Sequence, residues 1–342
     1  MDAIVLAGGF ATRLWPITRN RPKMLLPVGD TTVIDTLLED FEDDDRVEDV
    51  YVSTNEAFAD TFAEHLEESS FEKPILSIED TSEEDEKFGV VGALAQLVDR
   101  ESLDDDLLVV AGDNLVGFDL SEFVDFFEQE GTPSIAAYDV GSREKAKSYG
   151  LVELDGKQVV DFQEKPDNPK STLVSIACYA FPKDVVSEFE TYLADDGNPD
   201  EPGWFIQWLQ SQQTVNAFSF DEAWFDIGSA EGYLDAVAWT LGGENQIAES
   251  AVIEDSELDD VCVMPGAEVR DSVLERAVIF PESTVENAVL TRTVVDREAS
   301  VLGTILADST VGAHCDIEAS PVGQREFEER VIQIEERPLQ SD

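Results

Sequence analysis

Hydrophobic and polar positions along the first 241 residues alternate between two periods. Short continuous apolar runs, such as Ala3 to Leu6 and Leu107 to Ala111, predict buried strands. Further strands are expected at Val50 to Ser53, Ile75 to Ile78, Ser134 to Tyr138, Thr172 to Phe181 and Val215 to Phe220. Between them lie stretches with helical spacing. Val33, Ile34, Leu37, Leu38 and Phe41 form one apolar stripe, and Glu56 to Glu68, Asp184 to Leu193, Trp204 to Leu209 and Ala230 to Leu241 read as further helices. Strands alternating with helices predict a parallel, doubly wound sheet covered on both faces. A hairpin is expected with Asp155-Gly156 at its turn.

After residue 245 the pattern changes. Aliphatic residues recur at Ile253, Leu258, Val263, Val269, Leu274, Ile279, Val285, Leu290, Val295, Val301, Leu306, Val311 and Ile317. The spacings of 5, 5 and 6 repeat as a 16-residue period. No α-helix has that period. It predicts a short left-handed parallel β-helix of about four coils, with one inward aliphatic per face and Gly266, Pro281 and Gly312 at corners. Its end coils need capping or a partner.

Charge narrows the function. The chain holds 76 acidic against 22 basic residues in 342, a formal net charge of −54. That excess is spread over the chain, which points to a surface adapted to a salty cytoplasm, and it disfavours nucleic acid as a partner. Cys178, Cys262 and Cys315 have no metal-type spacing and form no disulfide framework. His65 reads as plain surface. No apolar run approaches the length that spans a membrane, and the first strand begins almost at Met1, so a cytoplasmic protein is expected. Against this background, residues 1–29 hold Arg13, Arg19, Arg21 and Lys23 and a single acidic side chain, Asp2. These cations follow Gly8 and Gly9, which break the first strand. Glycine N–H groups with cations around them suit a bound phosphate better than an ordinary strand–turn–helix corner.

The loop is neither a P-loop nor a dinucleotide loop. Its pattern, Gly8-Gly9-x-x-Thr12-Arg13-Leu14-x-Pro16-x-Thr18, then Pro22-Lys23 and Pro27, resembles the signature of the sugar nucleotidyltransferases, or nucleotide-sugar pyrophosphorylases. Further segments follow in the family's order. Gly89 and Gly92 fit its nucleobase segment, where Val90 and Val91 depart from it. Gly112-Asp113-Asn114 ends a central strand, where ligands bind in open α/β sheets, and capping of the next helix is the plainer alternative for the Asp. Tyr149-Gly150 precedes Glu164-Lys165-Pro166. Ser175, Ile176 and Ala177 stand where relatives carry Asn-Ala-Gly or Val-Thr-Gly. Trp224-Phe225-Asp226-Ile227-Gly228-Ser229 resembles Trp-x-Asp-x-Gly-Thr, with Ser229 able to cap a helix.

The resemblance, closest to glucose-1-phosphate thymidylyltransferases, implies a Rossmann-like doubly wound mixed sheet over a catalytic domain at 1–243. The β-helix would occupy 244–322, and 323–342 would be a charged tail. It implies transfer of a nucleotidyl group from dTTP or UTP to a sugar 1-phosphate, glucose 1-phosphate foremost, with release of pyrophosphate. Arg13, Lys23 and Lys165 would be catalytic. Gly8, Gly9, Thr12, Glu79, Gly89 and Gly92 would line the nucleotide. Gly150, Glu164, Lys165 and Ser175 would bind the sugar, with Lys165 on its phosphate, and Asp113 and Asp226 would hold Mg2+. A mannose-1-phosphate guanylyltransferase or a non-catalytic regulatory relative are the alternatives. The β-helix would assemble a homo-oligomer rather than transfer acyl groups, since only His314 could serve as a base there. Removal of the coils after Gly243 would then leave nucleotidyl transfer partly intact.

Overall fold

The computed structural model describes residues 1–79 and 89–318. The acidic loop after Glu79 and the charged tail from 323 to 342 lie outside the described residues. The chain forms two compact units: residues 1–9 with 34–224, and residues 10–33 with the chain from Phe225 onward.

The first unit is built on a nine-stranded sheet. Its order is Pro74–Glu79, Val50–Asn55, Asp2–Leu6, Leu107–Ala111, Leu173–Phe181, Ser134–Asp139, Asn216–Ser219, Gln158–Glu164 and Gly150–Asp155. The first four strands run parallel, as the alternation of strand and helix requires. Leu173–Phe181 then runs antiparallel to both of its neighbours in that order, so the sheet is mixed. The hairpin forms at Asp155-Gly156, with Gly156 at φ 63°. In Asp2–Leu6 the consecutive residues Ala3, Ile4 and Val5 are all fully buried, so both faces are covered.

One face packs against the helices Val90–Glu101 and Pro202–Gln212. Val91, Leu94, Leu97, Phe205, Ile206 and Leu209 join Ile4, Val109, Ile135 and Phe181 in a single core. Asp184 to Leu193 is divided into two short helices, Lys183–Val186 and Glu188–Ala194, rather than one. His65 is not plain surface. It is half-buried, with Nε2 2.7 Å from Asp35 Oδ1.

In the second unit the coils stack with the period read from the sequence. Ile253 pairs Val269, Val269 pairs Val285, Val285 pairs Val301 and Val301 pairs Ile317, each partner 16 residues on in the numbering. Val263, Val269, Leu274, Ile279, Val285, Leu290, Val295, Val301 and Leu306 form the core, while Ile253, Leu258 and Ile317 at the ends are only partly buried. Each coil turns through left-handed residues. Asp260, Arg276, Arg292 and Asp308 form one column; Asp255, Asp271, Asn287 and Gly303 form another; Gly266, Glu282, Glu298 and His314 form the third. Thus Pro281 precedes its corner residue and Gly312 stands two residues before His314. Two further pieces of chain belong to this unit. The helix Ala230–Leu241 packs along the coil strands Glu257–Val263, Val273–Ile279 and Val289–Val295. The basic loop 10–33 is the second piece.

Candidate active site

The first unit carries one group of the expected residues. Gly8 follows strand Asp2–Leu6. Its carbonyl accepts from Asn55 Nδ2 at 2.9 Å, and a Cβ added there would stand 2.9 Å from Glu79 Oε1. That oxygen accepts from Ser53 Oγ at 2.9 Å. Beside Gly9 there is open space. Gly89 caps the helix Val90–Glu101 at φ 74°, and a Cβ on it would meet the Pro199 carbonyl oxygen at 2.3 Å. Two donors at this helix start are already used, since Val91 N donates to Pro199 O at 2.9 Å and Val90 N to Asp200 O at 3.3 Å. Gly92 is buried inside the helix.

Asp113 sits in the turn between strands Leu107–Ala111 and Asn114–Val116, half-buried. Its neighbour Asn114 is a scaffold residue that motif reasoning did not single out. Its amide donates to Ile176 O at 2.5 Å and accepts from Trp224 Nε1 at 2.9 Å. Ser175 pairs Gly150 across the sheet. Two residues on, Ala177 takes φ 55° within a register shift, at the place where relatives were expected to carry glycine.

The Glu164 carboxyl lies in a slot between two glycines. A Cβ on Gly203 would stand 1.6 Å from Glu164 Oε2, and one on Gly150 would stand 3.0 Å from it. Burial pushes the Glu164 carboxyl up to about 7. Lys165 opposes this shift and Glu201 adds to it. Lys165 itself holds φ 42°, and its ammonium group pairs with the Glu201 carboxylate. Gly203 and Glu201 were missed at the sequence level. The signal was there in Glu201-Pro202-Gly203, because proline at the first helical position marks where the helix begins.

The second unit carries the other group. Ala11, in the left-handed region at φ 49°, turns the chain into a short 3-10 helix, Thr12–Leu14, and its carbonyl accepts from Thr18 Oγ1 at 2.8 Å. Thr12 and Arg13 are exposed. Lys23 opens a second 3-10 helix, Lys23–Leu25, and is only 8% exposed. Asp226 and Arg13 meet at one glycine. A Cβ on Gly228 would stand 2.7 Å from Arg13 Nη2 and 2.8 Å from Asp226 Oδ1. Only glycine lets the guanidinium and the carboxylate approach that backbone together. Ser229 caps the following helix as expected, its Oγ accepting from Gly232 N at 3.1 Å.

Asp113 and Asp226 offer carboxylate oxygens alone, the donor type that a hard cation such as Mg2+ prefers. No group of three or more His, Cys, Asp or Glu able to hold a metal occurs among the described residues. The three cysteines are free and buried.

A strand broken by Gly8 and Gly9, a mixed α/β sheet and a stack of parallel coils set the class of this protein as α/β with a β-helix. Residues 2–241 match the family model described as nucleotidyl transferase, and the chain belongs to that family. It is 30% identical over 235 residues to the "Putative mannose-1-phosphate guanyltransferase" of Sulfolobus acidocaldarius, covering 68% of this chain and 61% of that protein. It is 28% identical over 263 residues to the "Bifunctional protein GlmU" of Methanocaldococcus jannaschii, covering 74% of this chain and 59% of that protein. These matches span about three fifths of the length of those relatives. The fold is similar to the crystal structure of a "Putative Glucose-1-Phosphate Thymidylyltransferase" from Bacillus anthracis in complex with a sucrose. There the TM-score is 0.59 at 21% identity, covering 70% of this chain and 95% of that one.

Proposed function

We propose that the protein joins a nucleoside triphosphate, dTTP or UTP, to a sugar 1-phosphate, glucose 1-phosphate foremost, giving a nucleoside diphosphate sugar and pyrophosphate. The observation that carries this reading is the approach of Arg13 and Asp226 to the same glycine, Gly228. It sets a phosphate-binding cation beside a metal-binding carboxylate. In this reading the sugar phosphate oxygen attacks the α-phosphorus in line. It is already an anion, so no general base is needed, and the barrier is repulsion between phosphates. Arg13 and Lys23 counter charge on the α-phosphate and the leaving pyrophosphate. Lys165 steers the sugar phosphate once its pairing with Glu201 is exchanged for that anion. Glu164 accepts from sugar hydroxyls beside Gly150. Asp113 and Asp226 would hold Mg2+, which supplies charge neutralisation between the two phosphates. Since Arg13, Lys23, Asp113 and Asp226 are all present, a purely regulatory role is disfavoured.

A second reading, guanylyl transfer to mannose 1-phosphate, is favoured by Glu79. A carboxylate is an acceptor only, and it complements the adjacent N1–H and N2–H of guanine. Uracil and thymine present a carbonyl on each side of their single N–H. Pyrophosphate release in molar KCl with Mg2+, measured over a grid of nucleoside triphosphates and sugar 1-phosphates, tests both readings. Release with no pair would overturn both.

Val273, Val289 and Ile305 form an exposed, register-aligned aliphatic row on successive coils, which supports homo-oligomer formation through the β-helix. The functional boundary is placed near Gly243, with the tail from 323 separate. No helix among the described residues is long and apolar enough to cross a membrane. The acidic surface supports work in a salty cytoplasm, with small molecules rather than nucleic acid as partners.

A further inference from the structure

Of the four cations in the basic loop, Arg21 is committed to the β-helix. Its Nη2 donates to Asp296 Oδ1 at 2.5 Å, and its guanidinium carbon lies 4.7 Å from the centroid of the Phe280 ring. Asp296 is 3% exposed and Arg21 22%. A guanidinium fork stacked on an aromatic face and paired with a buried carboxylate cannot turn to a substrate without leaving that carboxylate uncompensated. Arg21 is therefore not a phosphate ligand, although its charge suggested one.

The residues that receive the loop share one column of the coil stack. Phe280, Asp296 and Gly312 each follow the last residue of a long coil strand, Ile279, Val295 and Val311. Backbone bonds tie the first two to the next coil, from Phe280 N to Val295 O and from Asp296 N to Val311 O, both at 2.9 Å. Gly312 seats the loop as well, since a Cβ there would stand 3.0 Å from Pro16 Cγ. Its φ is not in the left-handed region, so its lack of a side chain serves the contact rather than a turn. An aromatic ring, a carboxylate and a bare backbone thus stand in succession where the loop lies. The far end of the loop is held too. Tyr233 Oη, fully buried on helix Ala230–Leu241, donates to Pro27 O at 2.8 Å.

Asp296 is itself fixed. Its Oδ1 accepts from Arg297 N at 2.7 Å, and its carbonyl accepts from Ser283 Oγ at 2.7 Å. Burial raises the carboxyl above its ordinary value, and the Arg21 charge is the main opposing influence.

We propose that the Phe280–Asp296–Gly312 column is a seat for the basic loop, and that Asp296, acting through Arg21, is a positioning residue that sets Arg13 and Lys23 for nucleotidyl transfer. This rests on the function proposed above. It also changes the expectation for the coils. They would be part of the catalytic apparatus, and cutting after Gly243 would cost turnover as well as assembly.

The test uses the full chain, with Asp296→Asn, Arg21→Gln and the double variant. For each, kcat and KM are measured for nucleotide and for sugar phosphate, together with particle mass and hydrogen exchange of the loop peptide 10–26. Misplacing a charged group by about 1 Å costs up to about 10²-fold, so each single variant should lose about 10- to 100-fold in kcat with little change in the sugar-phosphate KM. The double variant should be no worse than the poorer single one, because both remove one interaction. Asp296→Glu should recover part of the loss. Loop exchange should rise while the particle mass stays constant. If Asp296→Asn fails to fold, Gly312→Ala presses on Pro16 instead and should lower kcat in the same way. Wild-type kcat and loop exchange in the single variants, or losses that multiply in the double variant, would overturn the proposal. An inactive wild type would sink the function reading alone, and loop exchange would still decide whether the column seats the loop.

Discussion

Glu164 Oε2 lies only 1.6 Å from where a Cβ on Gly203 would stand, so the carboxyl keeps its place because residue 203 has no side chain. Gly203 is in the first turn of helix Pro202–Gln212, where alanine would otherwise be the better helix former. Gly203→Ala should therefore expel the carboxyl from its slot. The expected outcome is a rise of about tenfold or more in the sugar-phosphate KM, with the nucleotide KM little changed. An equal rise for both substrates would detach Glu164 from the sugar.

The same slot makes a pH prediction. Burial raises the Glu164 carboxyl from its ordinary 4.5 to about 7. The folded state thus holds this proton more tightly than the unfolded chain. The stabilisation is complete below about 4.5 and is lost as pH rises through about 7. Thermal unfolding in molar KCl should show the wild type losing stability relative to Glu164→Gln across that window. A difference independent of pH would contradict the assignment.

Tyr233 donates its hydroxyl from a fully buried ring to the Pro27 carbonyl. Tyr233→Phe should cost about 1–2 kcal/mol, since it leaves a carbonyl in the protein without its donor. Denaturant unfolding checks this, and an unchanged midpoint would show that water replaces the hydroxyl.

Assembly has its own test. Ile305 is 62% exposed, the most open side chain in the aliphatic row of the coils. Ile305→Glu should lower the particle mass on light scattering, without changing the thermal midpoint of the coil core. Unchanged mass would remove this row from any interface.

Much of the architecture was legible because it follows from periodicity. The 16-residue spacing placed the inward residues of the coils, and the pairings of Val269 with Val285 and of Val285 with Val301 have that spacing. The strand Leu107–Ala111 and the helix Ala230–Leu241 appear with the expected bounds. The corners were less legible. Most are made by Asp, Arg, Asn, Glu and His in left-handed conformations rather than by glycine, so composition alone does not mark them. Helix Val90–Glu101 was not read from the sequence, because Gly89 at its cap and Gly92 in its first turn were matched to a nucleobase segment rather than to a helical pattern. Site residues that belong to contiguous motifs could be named from sequence. Residues that shape the site from a distance, such as Gly203 under Glu164 or Asp296 under Arg21, could not. Their roles depend on approach between segments far apart in the chain, 39 residues in one case and 275 in the other.

Asp226, whose carboxylate meets Arg13 at Gly228, is the residue on which nucleotidyl transfer by this protein is decided. Pyrophosphate release should be measured in molar KCl with Mg2+ for the wild type and for Asp226→Asn, which keeps the shape and removes the charge. Release by the wild type should require both a nucleoside triphosphate and a sugar 1-phosphate, and the variant should lose about 10²-fold or more with folding retained. Equal release by the two proteins, or wild-type release that does not depend on the sugar phosphate, would contradict nucleotidyl transfer at this site.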